Sequence, residues 1–229
     1  MNQESIAYKT ELFNYLCECI SENKKILFNK IIEFRTKHAT MVLEDIYQPQ
    51  NASAVLRTCD CFGIQDIHII ENKNKYEVNP DVALGSSKWI NLIKYNQKEN
   101  NTLDCIKKLK SQGYRIVATT PHKDDVNLED FSIDKKFALF FGTEMHGLSK
   151  EMIDLADEYL KIPMFGFTES FNISVSAAII TSNIIPRIHN STINWKLSEG
   201  EKIDTLLNWA RNVVKKSDLI ENNFQRKKL

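Results

Sequence analysis

No run among the 229 residues approaches the length of a membrane span, and Met1 to Thr10 holds no apolar stretch of the signal-peptide kind. Those two absences lead us to expect a cytoplasmic protein with no membrane partner. Net charge is also missing: 30 basic and 30 acidic side chains cancel, so no global electrostatic signature marks a nucleic-acid binder. Five cysteines form an odd set without zinc spacing. Cys17 and Cys19, like Cys59 and Cys61, are two apart, which on a helix sends them to different faces; reduced thiols, buried or half-buried, are expected. His38, His68, His122, His146 and His189 are scattered, none with a second ligand at metal spacing, so no metal is expected. No GxGxxG follows a strand and no GxxxxGK[ST] occurs, which excludes the dinucleotide fingerprint and the P-loop.

What is present suits a core. Hydrophobic residues make up 42% and charged residues 26%, enough for one medium α/β domain with additions or two small domains. The charge is uneven at the end: Arg187 to Leu229 holds nine Lys or Arg against five Asp or Glu, closing in Arg226-Lys227-Lys228. By itself this reads as a frayed basic tail.

Along the chain, Lys9 to Lys37 reads as two amphipathic helices. Leu12, Phe13, Leu16 and Ile20 recur at helical spacing; Ser21 caps a second run with Leu27, Ile31 and Phe34 on one face. From Thr40 the period changes. Strands are expected at Met41–Leu43, Asp66–Ile70, Trp89–Ile93, Tyr114–Thr119, Phe137–Phe141 and Glu158–Ile162. Helices are expected at Ala52–Phe62 (ended by Gly63), Asn101–Gln112 (ended by Gly113) and Ser149–Asp157. Strands alternating with helices predict a mostly parallel sheet covered on both faces. After Pro186 the pattern shifts to one C-terminal helix through Leu197, Ile203, Leu207, Ala210 and Val214, with Trp195 and Trp209 available to dock it. The divisions expected are 1–38, 39–190 and 191–229.

Three stretches sit at C-terminal ends of predicted strands, the edge where open α/β sheets bind ligands. In Pro49 to Gly63, Asn51 opens the helix and Arg57 follows six residues on, on an otherwise apolar helix. Such an arginine needs an anionic partner or a route to water, and a surface ion pair is its ordinary explanation. In Phe140 to Ser149, Gly142 and Gly147 flank Glu144 and His146 and fit a loop whose backbone approaches a bound group. In Ile162 to Ile180, Pro163 and Gly166 shape a loop that feeds a helix capped by Ser170 or Asn172. Each alone is also what an ordinary strand–loop–helix turn looks like.

Together, in this order and spacing, the three stretches resemble the signature motifs of the SpoU branch of the SPOUT methyltransferases, over roughly Met41 to Pro186. The short terminal helices further resemble the tRNA (guanosine-18-2′-O)-methyltransferases of that branch. The resemblance implies an α/β fold with a C-terminal deep trefoil knot, a homodimer, and S-adenosylmethionine held in the knot. By position it places the cofactor against Thr119, Gly142, Ile162 and Phe171, where the family most often has Leu at the last. It matches Arg57 to the family's catalytic arginine and Asn51, Glu144, Ser170 and Asn172 to its other polar active-site positions. The reaction implied is 2′-O-methylation of a ribose in tRNA, at the D-loop guanosine; ribosomal RNA as substrate, or a silent RNA-binding dimer, are the alternatives. With no net charge, a local basic surface is then required, and Arg187, Lys215, Lys216, Arg226, Lys227 and Lys228 are the candidates.

Overall fold

The computed structural model describes residues 5–77, 79–121, 123 and 126–228; His122 of the sequence reading lies outside them. The chain divides into two units, Thr36–Trp195 and a second built from Met1–Arg35 with Lys196–Leu229.

In the larger unit, seven strands form one sheet: β1 (Ala39–Glu44), β2 (Asp66–Ile70), β3 (Asn91–Tyr95), β4 (Arg115–Thr119), β5 (Val126–Asn127), β6 (Phe137–Phe141) and β7 (Glu158–Lys161). Their spatial order is β3-β2-β1-β6-β4-β7-β5, and every neighbouring pair is parallel. Parallel neighbours need crossovers, supplied here mainly by α3 (Pro49–Cys61), α5 (Asn101–Ser111) and α6 (Lys150–Leu155); α7 (Ile173–His189) follows β7. All six residues of β1 are buried, and successive side chains enter opposite cores. Met41 and Leu43 join Ile67, Leu139 and Phe141 in a core with Val55 and Leu56 of α3 and Ala177, Ile180 and Ile184 of α7. Val42 joins Ile70, Ala138 and Phe140 in a second core with Ile106 and Leu109 of α5 and Met152 of α6. Helices therefore cover both faces, as the alternation of elements predicts.

Several expectations shift. The strand expected at Trp89–Ile93 begins two residues later, because a 3₁₀ turn at Ser86–Lys88 uses Trp89 as its cap and pairing with β2 starts only where Asn91 meets Asp66. β5 and the short α4 (Pro80–Ala83) were not anticipated. α3 starts at Pro49, which puts Asn51 in its first turn. Cys19 and Cys61 are exposed while Cys59 and Cys105 are buried. The two-residue spacing splits Cys59 from Cys61 across the faces of α3, so one of that pair cannot be buried.

In the smaller unit, α1 (Ile6–Cys17), α2 (Glu22–Ile32), α8 (Glu199–Val213) and α9 (Ser217–Lys228) pack together. The second helix does not bury the expected face: Leu27 and Phe34 are exposed, and Phe28 and Ile32 are buried instead. Both sets have helical spacing, and packing decides between them, with Phe28 set against Trp209 of α8 at 5.4 Å between ring centroids. Trp195 belongs to the larger unit, stacked on His189 at 4.3 Å. One C-terminal helix was expected and two are found, and the basic end is helical. Phe224 of α9 meets Tyr8 and Tyr15 of α1, while Lys228 pairs with Glu11.

Candidate active site

The loops leaving β4, β6 and β7 meet at the C-terminal edge of the sheet around a cavity of about 430 Å³, within the ~300–1,000 Å³ usual for small-molecule sites. Thr119, Gly142, Ile162 and Phe171 all line it, as do Glu144, Ser170 and Asn172.

One wall is the loop after β6. Thr143 and Gly147 exchange both backbone hydrogen bonds at 2.9 Å, and the Thr143 hydroxyl accepts from the His146 N–H at 3.0 Å. Gly142 packs directly on this closure: a Cβ there would lie 2.1 Å from the Gly147 carbonyl and 2.3 Å from the Leu148 nitrogen. Only glycine fits. The far end is pinned by a residue that sequence reasoning missed. Glu44, 2% exposed at the end of β1, accepts from the Ser149 N–H and hydroxyl at 2.8 Å each and from the Thr102 hydroxyl of α5 at 2.7 Å. Ser149 in turn caps α6, accepting from the Met152 N–H at 3.1 Å. The available signal was a carboxylate directly after the buried triplet Met41-Val42-Leu43, a place where an acid must find donors.

The other wall, Ile162 to Asn172, is open. Phe165 and Phe167 are fully exposed. Gly166 was expected to supply special backbone angles, yet it avoids the left-handed region and has room for a side chain. Asn172, not Ser170, caps α7, accepting from the Ser174 N–H at 2.9 Å.

At the mouth, three chain-distant polar groups join. Asn51 Nδ2 donates to Gln48 Oε1 at 3.1 Å and to Glu144 Oε1, while its Oδ1 accepts from Asn172 Nδ2 at 3.1 Å. Both donors and the acceptor of the buried amide are thus engaged, which fixes its orientation. Arg57 stands apart, about 9 Å further along α3 at 1.5 Å per residue. It is exposed, is not among the described residues lining the cavity, and pairs with no carboxylate among them. The surface ion pair that would explain it is therefore not seen.

The basic candidates fall in both units. Arg187, at the end of α7, donates to the carbonyls of Leu128 (3.2 Å) and Phe131 and to Asn183 Oδ1 (3.0 Å), so its guanidinium holds the segment before β6. Lys215 and Lys216 are exposed between α8 and α9. Arg226, Lys227 and Lys228 are exposed on α9, with Lys227 over the Tyr15 ring at 5.0 Å. Two histidines serve the sheet. Burial drives His68 down to about 4, with Nδ1 3.0 Å from the Tyr95 hydroxyl, and burial likewise lowers His38, whose Nε2 meets the Ile133 carbonyl. Among the described residues no group of three or more His, Cys, Asp or Glu is placed to hold a metal, and no helix is long and apolar enough to cross a membrane.

Residues 38–182 match the SpoU rRNA Methylase family, and the chain belongs to that family. It is 49% identical over 207 residues to a tRNA (guanosine(18)-2'-O)-methyltransferase of Borreliella burgdorferi, covering 90% of this chain and 93% of the relative. A protein of the same description from Thermus thermophilus is 31% identical over 160 residues, covering 70% and 80%. Among solved structures, a TrmH/SpoU tRNA modifying enzyme of A. aeolicus superposes with a TM-score of 0.74 at 30% identity, over 85% of this chain and 98% of that one.

Proposed function

We propose that this chain methylates the 2′-hydroxyl of the D-loop guanosine at position 18 of tRNA, with S-adenosylmethionine as donor. The observation that carries the reading is the Asn51–Glu144–Asn172 hydrogen-bonded set at the mouth of a cavity whose wall Gly142 shapes. The relatives named for this reaction support it.

The cavity fits the donor on its own chemistry: a backbone cradle at Gly142 that a Cβ would fill, beside apolar surface from Leu160, Ile162 and Ile180. S-adenosylmethionine supplies an electrophilic sulfonium methyl when bound, so no residue has to polarise it. Thr119, Gly142, Ile162 and Phe171 hold it. The remaining task is to align a ribose hydroxyl and dispose of its proton. Asn172 and Ser170 order the ribose. Glu144 orients Asn51, a role its hydrogen bond to that amide supports. A guanidinium is a poor general base in proteins, so Arg57 has another role. Lying outside the cavity of its own protomer, it reaches a site only in the assembled dimer, where it clamps the guanosine phosphate and stabilises the developing alkoxide, while a phosphate oxygen or water takes the proton.

The active form is a homodimer, with the exposed Phe165–Phe167 loop as a contact that water disfavours. The segment after β6 is threaded as a deep trefoil knot; the order β6-β4-β7 supports this, since the chain must pass β4 to reach β7. Five free thiols suit work in the cytoplasm.

Labelled S-adenosylmethionine incubated with unmodified tRNA, then nuclease digestion, should yield 2′-O-methylguanosine. Label on a base, or on no RNA, overturns the reading; label on ribosomal RNA alone would favour the substrate in the family's own description. Arg57→Lys should keep RNA binding and lose most turnover, because a point charge cannot clamp a phosphate bidentately. Near-normal turnover would remove the clamp.

A further inference from the structure

The geometry points to a second RNA-contacting groove beside the polar set, seating a single-stranded nucleotide next to the reacting guanosine. The inference rests on the proposed RNA substrate and names residues that would recognise it. An open groove of about 790 Å³ is bordered by Tyr47, Gln48, Gln50, Lys73, Lys75 and Glu77. Gln48 joins it to the site, since its side chain, like that of Glu144, accepts from Asn51 Nδ2. Tyr47, between β1 and α3, is 74% exposed, an aromatic ring no core holds.

Lys73 and Lys75 are exposed and pair with no carboxylate among the described residues. The loop that carries them is nevertheless well held. Asp45, in the left-handed region at φ 54°, accepts from the N–H groups of Asn72, Lys73 and Asn74 at 2.7, 2.8 and 3.3 Å. Asn74 Nδ2 returns a bond to the Asp45 carbonyl at 2.8 Å. Oδ1 of the Asp45 carboxylate is therefore occupied by three backbone donors. Glu77 is the single acidic side chain among those bordering the groove, set against two ammonium groups.

An open aromatic face flanked by cations suits a splayed base with its phosphates. A duplex would offer Tyr47 no base. An acidic peptide would need the lysines and leave the ring unused.

The test uses the full chain and unmodified tRNA. Replacing Lys73 and Lys75 together with Ala should weaken tRNA binding about tenfold at low salt and flatten its log–log salt dependence by about 1.4, at ~0.7 per single-strand phosphate contact. Tyr47→Ala should raise KM for tRNA about tenfold, with Tyr47→Phe restoring it, because one stacked base is worth roughly that factor. In all three, kcat at saturating tRNA and S-adenosylmethionine affinity should stay within twofold. An unchanged salt slope, a wild-type KM for Tyr47→Ala, or a loss confined to kcat would overturn the groove. Wild-type chain that binds tRNA without methylating it would instead defeat the functional reading, with the binding arm still deciding the groove. Wild-type chain that binds no RNA defeats both.

Discussion

The loop from Gly142 to Ser149 is closed by its own backbone and anchored by a buried carboxylate, whereas the loop from Ile162 to Asn172 leaves two phenylalanines in water; both line one cavity. The first is finished by interactions within this chain. The second has the makings of a wall that another surface completes. The difference teaches that preorganisation is unevenly distributed. The glycine that matters is the one packed on backbone, and the conspicuous glycine in the apolar loop is free.

Substitutions should break or sharpen that contrast in a definite order. Gly142→Ala should cost about 4 kcal/mol of unfolding free energy, because backbone rather than a movable side chain occupies the space. It should also abolish measurable S-adenosylmethionine binding by calorimetry; binding within threefold of wild type would erase the distinction between the loops. Glu44→Ala should cost about 3 kcal/mol in denaturant titration, since it strands the Ser149 and Thr102 donors. Glu44→Gln, which keeps an acceptor, should recover part of this.

Acid should act on the domain without choosing a loop. Burial lowers His68 to about 4, so the unfolded chain takes up a proton near pH 6.5 that the folded chain refuses. Stability from this group is fully present above pH 6.5 and falls as pH drops toward 4, by about 2 kcal/mol at pH 5. His68→Gln should flatten that slope. A steep slope unaltered by the substitution would point to the loops instead.

The exposed wall should yield the smallest effects. Phe165→Ser and Phe167→Ser should leave unfolding of dilute chain within about 0.5 kcal/mol of wild type while weakening self-association on gel filtration. Gly166→Ala should change stability least, by a few tenths of a kcal/mol and in the stabilising direction, because it restricts only the unfolded chain. A large loss there would mean that the loop is built as tightly as its neighbour.

Much of the sheet could be read in advance, for a physical reason. Strands such as Phe137–Phe141, buried on both faces, leave no ambiguity of period, and caps such as Ser149 carry their own signal. Where two packings suit one pattern, the sequence is silent. Ile31 and Phe34 have the same helical spacing credentials as Phe28 and Ile32, and the choice lies with Trp209 on another helix. The cavity-lining positions, by contrast, came from motif resemblance; the residues alone left ordinary turns equally open. Glu44 escaped because its partners, Thr102 and Ser149, are far along the chain, and no local pattern announces them.

The saturated amide of Asn51 has one more consequence. Its two hydrogens face oxygens of Gln48 and Glu144, and its oxygen faces the Asn172 amide. Hydrolysis to aspartate, the common ageing reaction of asparagine, would confront the Glu144 carboxylate with a second one. Such a change would therefore reverse the sign of that contact, and Asn51 is shielded from it by its place in the first turn of α3 with every amide atom engaged.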